Sequence, residues 1–207
     1  IDLHGHGTHV AAILGAAKDG VGMHGVAPKS QLYAYRILNQ YGNFGGRSGE
    51  AMIPGLVSDA RRKNLHILNN SWGSRIEIND ISRGEIETTL PRELAAWQSA
   101  VNSGMVIVWA AGNQRDNQVS VRAGLPYYFS SLRRGWLTVV SSGASGTEPV
   151  YTNRCGLAAN WCITAPGGGD DQASNGIWAA DTGGGYVRRS GTSMSAPHIS
   201  GGLALLL

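Results

Sequence analysis

One serine of the chain lies in a stretch whose residue types suit nucleophilic chemistry. Residues 189–198 are Arg-Ser-Gly-Thr-Ser-Met-Ser-Ala-Pro-His, and they lead into an apolar run that ends at Leu207. A glycine that permits a tight turn, followed by small residues and an early proline, predicts a turn that leads into a buried helix. Ser193 would lie at the start of that helix, where backbone N–H groups can hold an oxyanion. The same position also suits a simple helix cap, so the serine alone does not decide between the two roles.

A cluster of histidines near the beginning of the chain has two alternative uses. Residues 4–9 are His-Gly-His-Gly-Thr-His. Zinc hydrolases use the spacing H-x-H-x-x-H, but the other histidines (His24, His66 and His198) have no acidic neighbours suited to complete such a site. In the alternative, His6 is a general base at the start of a helix, and His9 points inward as a packed residue.

An asparagine after an apolar run supplies a third polar group. Residues 105–109 (Met-Val-Ile-Val-Trp) have the character of a strand covered on both faces, and Asn113 follows them closely. A serine nucleophile needs a histidine to take its proton and donors directed at the developing oxyanion. The Asn113 amide and the Ser193 backbone N–H could be those donors, whereas the simpler interpretation of Ala-Gly-Asn is a turn.

Together, these segments resemble the subtilisin-like serine proteases in their order and in their residues. The segments are 6–9 (His-Gly-Thr-His), 111–113 (Ala-Gly-Asn) and 191–198 (Gly-Thr-Ser-Met-Ser-Ala-Pro-His), with further agreement at 25–28, 69–73, 103–104 and 165–167. The resemblance covers nearly the whole chain. It implies hydrolysis of peptide bonds through an acyl-enzyme intermediate, with no cofactor required.

The resemblance assigns roles residue by residue. It implies Ser193 as the nucleophile, His6 as the general base and Asn113 as an oxyanion-hole donor. It also implies a pocket for the substrate residue before the scissile bond, and an edge against which an extended peptide pairs. The pocket residues are Ser71, Trp72 and Gly73 on one wall, Ala110, Ala111 and Gly112 on the other, and Gly124 at the base; the edge glycines are Gly42, Gly45 and Gly46. Since no acid is evident among them, the sequence predicts that the pocket takes an apolar or large side chain.

The acid that would orient His6 has no good candidate in this sequence. The family carries it on a strand upstream of the histidine motif, and here only five residues precede His6. Asp181-Thr182-Gly183 spells the family's acid motif but falls 12 residues before Ser193, and Asp2 has the wrong spacing. We therefore expect residues 1–207 to be a single but incomplete peptidase domain, truncated at both ends and nearly inactive alone, because the acid stabilises the imidazolium.

Two other classes of function remain open. One is a catalytically silent module that keeps the peptide groove and binds polypeptides without cleaving them. The other is the zinc hydrolase that would use the histidine cluster. A structural calcium ion is a further possibility of the family, and Asp19 stands where a ligand could lie.

The two cysteines bear on where the protein is found. Cys155 and Cys162 are either a local disulfide or two free thiols, and the disulfide, the better-supported of the two, would place the protein outside the cytoplasm. The cysteine loop also resembles that of subtilase passenger domains in Gram-negative autotransporters, which implies a secreted or surface-displayed parent with a membrane translocator or anchor. A formal charge of +3 is too small to argue for nucleic acid, and no apolar run reaches membrane-spanning length.

These residues need a scaffold that brings segments far apart in sequence together. Strands alternate with helices along the chain, which predicts an α/β fold of three layers, mainly a parallel sheet with helices on both faces. Active residues of such folds gather beyond the carboxyl ends of the strands. We predict strands at 31–38, 65–70, 105–109, 136–140 and 161–164, helices at 3–17, 50–62, 91–101 and from 193, a hairpin at 177–189, and a polar surface insertion at 74–89.

Overall fold

A computed structural model describes residues 2–207, and its centre is a four-stranded parallel sheet in the order β1-β2-β3-β4. The strands are β1 (Ile67–Asn70), β2 (Val106–Ala110), β3 (Trp136–Ser142) and β4 (Cys162–Pro166). Each strand pairs with the next one in sequence, for example Ile67 with Val106 and Ile107 with Trp136. Because all four strands run the same way, their carboxyl ends lie at one edge of the sheet.

Helices connect these strands, and a short hairpin precedes the last helix. The helices are α1 (His6–Gly15), α2 (Gly49–Arg62), α3 (Arg83–Thr89), α4 (Pro91–Asn102), α5 (Val121–Gly124), α6 (Gln172–Asn175) and α7 (Thr192–Ala204). The hairpin strands are β5 (Ile177–Ala180) and β6 (Tyr186–Arg189), paired antiparallel. The predicted hairpin and most of the predicted strands and helices are confirmed, with boundaries shifted by a few residues.

The sheet is covered on both faces, so the predicted three-layer α/β fold is confirmed. Side chains alternate along β2: Ile107 and Trp109 face a large core with α2 and α4, whereas Val108 and Ala110 face α7. Alternation with two apolar faces is the signature of a strand buried between helical layers. The face toward α7 is built from small side chains, which lets the helix that carries Ser193 lie close to the strands.

The predicted strand at 31–38 is not formed in the described structure. Leu32 and Tyr33 are exposed, and the backbone of this segment has no ladder partner among residues 2–207. The strand prediction was wrong because a strand exists only where another backbone pairs with it, whatever the apolar character of the segment. Instead the segment packs through side chains, with the Tyr35 hydroxyl donating to Asp59 at 2.8 Å.

The segment 74–89 is more ordered than the predicted surface insertion. It contains a short 3₁₀ turn and α3, and it buries the side chains of Ile78 and Ile86 in the main core. A capping box begins α3, because the Ser82 hydroxyl accepts from the Glu85 N–H and the Glu85 carboxylate accepts from the Ser82 N–H. This S-x-x-E pattern was visible in the sequence and was overlooked.

The two cysteines form a disulfide, as the more favoured of the two sequence interpretations predicted. Cys155 and Cys162 are bonded with their Cα atoms 5.9 Å apart, within the usual range for such bonds. The closed loop leads directly into β4. None of the helices described between residues 2 and 207 has the length and apolar character needed to cross a bilayer.

Candidate active site

Ser193 lies in the first turn of α7, where the chain turns sharply from the β6 strand. Gly191 precedes the helix with φ 151°, a conformation that favours glycine. The Ser193 hydroxyl donates to the Ser71 carbonyl at 3.2 Å, and the Ser71 hydroxyl donates to the Ser193 carbonyl at 2.8 Å. The serine is thus held against the segment that follows β1, at the carboxyl edge of the sheet.

Asn113 is fixed beside Ser193 by the residue that starts the same helix. Its amide oxygen accepts from the Thr192 backbone N–H at 2.8 Å and from the Thr192 hydroxyl at 2.9 Å. Two bonds to the oxygen set the orientation of the planar amide and leave the N–H₂ group without an acceptor among the described residues. A donor held in this way needs no reorganisation when an oxyanion forms nearby.

A cavity of about 200 Å³ adjoins Ser193 and contains most of the predicted pocket wall. It is lined by Trp72, Gly73, Ser74, Arg75, Ala110, Gly112, Asn113, Gln114, Ser120, Thr192 and Ser193. Ser71 reaches the site through its bonds to Ser193. Ala111 and Gly124 are buried and lie outside this lining, and Gly124 is packed so closely on Ile78 that an added Cβ would lie 2.5 Å from it.

His6 lines a second cavity, of about 290 Å³, which also contacts the Ser71–Gly73 segment. Its lining is His4, His6, Leu38, Gly42, Asn43, Phe44, Ser71, Trp72 and Gly73. Trp72 and Gly73 belong to both cavities, so the two form adjoining parts of one cleft. Gly42 is thus part of the lining, whereas Gly45 and Gly46, which follow Phe44 with positive φ values of 58° and 82°, lie outside it.

His6 is in the neutral form at neutral pH. Burial, followed by repulsion from His4, Arg189 and His9, lowers the pKa of His6 to about 4, with Asp2 opposing the shift. A neutral imidazole is the form that accepts a proton from a serine. Within residues 2–207, however, the structure has no hydrogen bond between His6 and Ser193, whose hydroxyl is on Ser71.

Neither nearby aspartate orients the His6 ring. The Asp2 carboxylate caps α1, accepting from the backbone N–H groups of His4, Gly5 and Thr8 at 2.8–3.0 Å. Partial burial opposes its ionisation, but these backbone bonds together lower the pKa of Asp2. Asp181 lies in the β5–β6 turn, 3.5 Å from Arg189, as the turn interpretation of its motif predicted.

The histidine cluster does not assemble into a metal centre in the part of the chain that the structure describes. No group of three or more His, Cys, Asp or Glu side chains between residues 2 and 207 could hold a metal ion. His9 is buried, and its Nε2 lies 3.1 Å from the carbonyls of both Ile177 and Val187. The zinc hydrolase hypothesis therefore receives no support. Asp19 is in an exposed turn, where it accepts from the Val21 N–H; a calcium ion there stays a prediction.

The sequence did not predict the roles of four residues at the site: Thr192, Asp2, Arg75 and Ser120. Thr192 orients Asn113, and Asp2 caps the helix of His6; both stand next to the predicted motifs and were recognisable as polar neighbours of a helix start. Arg75 and Ser120 line the cavity beside Ser193. They meet only because Glu77 and Ser120 form an isolated antiparallel bridge, a contact with no sequence signal.

Comparison with known proteins agrees with this geometry. The family model Peptidase_S8, described as the subtilase family, matches residues 2–207. An extracellular serine protease of Serratia marcescens is 30% identical over 256 residues, covering 98% of this chain and 23% of that protein. Subtilisin DY of Bacillus licheniformis is 30% identical over 206 residues, covering 100% of this chain and 64% of the relative.

Solved structures show the same fold. The protease domain of PatA matches with a TM-score of 0.78 at 25% identity, covering 100% of this chain and 66% of that one. The chain spans less than two thirds of the two curated relatives named above, and 23% of the Serratia protein. Its fold, its motifs and the match over residues 2–207 establish that the chain belongs to the subtilase family of serine proteases.

Proposed function

We propose that the protein is a serine endopeptidase in which Ser193 attacks a peptide carbonyl and His6 takes the proton of its hydroxyl. The observation that carries this proposal is the fixed amide of Asn113, whose oxygen is held by Thr192 so that its N–H₂ group is left as a donor in the cavity beside Ser193. A helix cap or a plain turn has no need of such an arrangement.

The reaction follows from these positions. The Ser193 oxygen bonds to the carbonyl carbon while the proton passes to His6, and the carbonyl oxygen becomes an oxyanion facing the Asn113 amide and the Ser193 backbone N–H. The amine then leaves with the proton from His6, giving an acyl-enzyme. Water hydrolyses the ester with His6 again as the base.

The acid of the triad lies outside residues 1–207 in this proposal. Its support is that Asp2 is engaged by backbone N–H groups and Asp181 by Arg189, so neither is free to orient His6. The Ser193 hydroxyl also donates to the Ser71 carbonyl and not to His6, as expected where the ring of the base is not oriented by an acid. Residues 1–207 alone are thus an incomplete domain and nearly inactive, whereas the longer protein is active.

A fluorophosphonate probe tests the endopeptidase proposal on the full-length protein. We expect covalent labelling that peptide mapping places on Ser193 and that is lost in Ser193→Ala and strongly slowed in His6→Ala. An absence of labelling in a folded protein would support the silent peptide-binding module instead. Loss of activity to a chelator, without labelling, would favour a metal enzyme.

We also propose that the longer protein is secreted or surface-displayed, as the passenger of an autotransporter. The disulfide between Cys155 and Cys162, the name of the extracellular Serratia relative and that relative's much greater length support this proposal. Fractionation of cells expressing the full-length protein tests it. Peptidase antigen in the medium or on protease-accessible outer surfaces supports secretion, and antigen confined to the cytoplasm contradicts it.

A further inference from the structure

The cavity beside Ser193 contains a positively charged side chain, although its wall residues predicted an apolar pocket. Among the described residues, its lining contains one charged side chain, Arg75, and no carboxylate. The walls otherwise combine the Trp72 indole and Ala110 with small polar groups. A cavity of about 200 Å³ is below the size of drug-sized ligand pockets and suits a single side chain.

The Arg75 guanidinium has no acidic partner in the structure. None of the ion pairs within residues 2–207 includes it, although six other cations of the chain are paired. Two acidic residues occur close to Arg75 or Ser120 in the sequence, Glu77 and Asp116, but neither lines the cavity. An arginine presents five donors in a fixed planar fork that matches a carboxylate, so an acidic group entering the cavity would find its partner there.

A buried hydroxyl in the same lining also lacks a partner. Ser120 is 2% exposed, and its Oγ has no hydrogen-bond partner in the described chain. This oxygen lies 3.4 Å from the position that a Cβ on Gly73 would occupy, and both residues line the cavity. Because unpaired buried polar groups are costly, a substrate atom that bonds to this hydroxyl is favoured over an apolar one.

We propose that this cavity selects substrates with an acidic side chain at the residue before the scissile bond. Arg75 pairs with the carboxylate, Ser120 donates to it, and Trp72 packs on its aliphatic stem. This rests on the proposed function, since it assumes that the cavity beside Ser193 receives that residue. A lysine is rejected by charge, and a large apolar side chain leaves both polar groups unpaired.

Peptide binding to full-length Ser193→Ala protein tests the selectivity without requiring turnover. Tetrapeptides that differ only in a last residue of Glu, Gln, Phe or Lys are titrated by calorimetry at low salt. We expect the Glu peptide to bind at least about tenfold more tightly than the Gln peptide, as for a hydrogen bond to a charged group. The preference should shrink at high salt because the pair is partly exposed.

Two arginine variants distinguish the effect of Arg75 in the cavity from the effect of the protein's net charge. Adding Arg75→Gln should abolish the Glu-over-Gln preference, whereas Arg134→Gln, which removes the same charge from an exposed site, should leave it unchanged. Circular dichroism confirms that each variant is folded. Tightest binding of the Phe or Lys peptide, or a Glu preference that survives Arg75→Gln, overturns the proposal.

Labelling of the Ser193-containing protein by a fluorophosphonate is run in parallel. Glu-selective binding without labelling leaves the cavity assignment standing and rejects the endopeptidase. Labelling of Ser193 without Glu-selective binding does the reverse.

Discussion

Asn113 shows how one neighbouring residue decides what a side chain can do. An asparagine after a strand is by default a turn former, but both hydrogen bonds from Thr192 fall on its oxygen, at 2.8 and 2.9 Å. The remaining N–H₂ group is therefore a fixed donor beside Ser193. Thr192 belongs to the helix start, so the proposed nucleophile, Ser193, and the proposed oxyanion donor, Asn113, are positioned by the same turn of chain.

Removing the Asn113 donor should lower the rate of the chemical step (kcat) more than it weakens substrate binding. In the proposed mechanism, we expect Asn113→Ala to lower kcat of the full-length protein by about 10²- to 10³-fold with little change in KM, as for loss of one oxyanion-hole donor. Steady-state kinetics with a peptide substrate measures the effect. Thr192→Ser, which keeps the hydroxyl, should retain most activity. An Asn113→Ala enzyme with unchanged kcat would show that the amide does not contact the oxyanion.

The partly buried His6 makes the stability of the chain depend on pH in a specific direction. The pKa of His6 is about 4 in the folded chain and about 6.5 when exposed, so the unfolded state binds more protons between these values. Stability is therefore complete above pH 6.5 and decreases as the pH falls toward 4. Burial lowers the pKa of His9 and of His198 as well, which adds to the same trend.

Thermal unfolding of residues 1–207 between pH 7 and 5 measures this effect. We expect the decrease in melting temperature to be smaller in His6→Gln than in the unaltered chain, because the variant has one fewer proton to take up on unfolding. His24→Gln, at an exposed position, is the matched control. An equal decrease in His6→Gln would show that this histidine is not kept neutral by the fold.

At the scale of elements, sequence patterns predicted what is local and missed what depends on distant partners. The apolar run predicted β2, because a strand buried on both faces consists of consecutive apolar residues. The Gly-Thr-Ser sequence predicted the start of α7, because a glycine turn followed by small hydroxyl residues is typical of a helix start. The strand predicted at 31–38 has an apolar and aromatic composition but no paired backbone among the described residues. Ser120 contacts the 73–77 segment through an isolated β-bridge with Glu77. Local sequence patterns do not predict a bridge between residues so far apart in the chain.

A buried ion pair joins the elements behind the cleft. Arg122 of α5 donates to Glu93 of α4 at 2.6 and 2.9 Å, and its guanidinium lies 5.2 Å from the centre of the Trp72 ring. Glu93 also accepts from the Trp97 indole at 3.2 Å. Both charged side chains are nearly fully buried, so each depends on the other for compensation.

Breaking this buried ion pair should lower the free energy of unfolding more than breaking an ion pair on the surface does. We expect Glu93→Gln to reduce the free energy of unfolding by about 3–5 kcal/mol, because it leaves the Arg122 charge buried without an anion. Glu87→Gln removes the exposed Arg83–Glu87 pair and should cost less than about 1 kcal/mol. Chemical denaturation of both variants compares them, and equal losses would contradict the argument.

At the scale of the whole molecule, the alternation of strands and helices was enough to predict three layers and a catalytic edge. It could not show that residues 31–38 lack a paired strand within the described chain, and it identified no acid for the proposed triad. This chain spans 23% of the Serratia relative and 64% of subtilisin DY, and the proposal that the acid lies outside residues 1–207 is consistent with that difference in length.

If the acid lies outside residues 1–207, as proposed, the isolated 207-residue chain and a longer protein that contains the acid should differ in activity while sharing a fold. Loss of the acid alone lowers kcat of subtilisin by about 3 × 10⁴-fold, so we expect a deficit of about that size in the isolated chain. Peptide turnover is compared at equal concentration of each form, with circular dichroism to show that both are folded. Comparable turnover by the isolated chain would place the acid within residues 1–207.

The most direct test of the account is to trap the acyl-enzyme. The full-length protein is mixed with an excess of a p-nitrophenyl ester, quenched with acid and analysed by intact mass and peptide mapping. We predict one acyl group per molecule on Ser193, formed in a burst and absent in His6→Ala. Ester or peptide turnover without an adduct, or with the adduct on another residue, would contradict it.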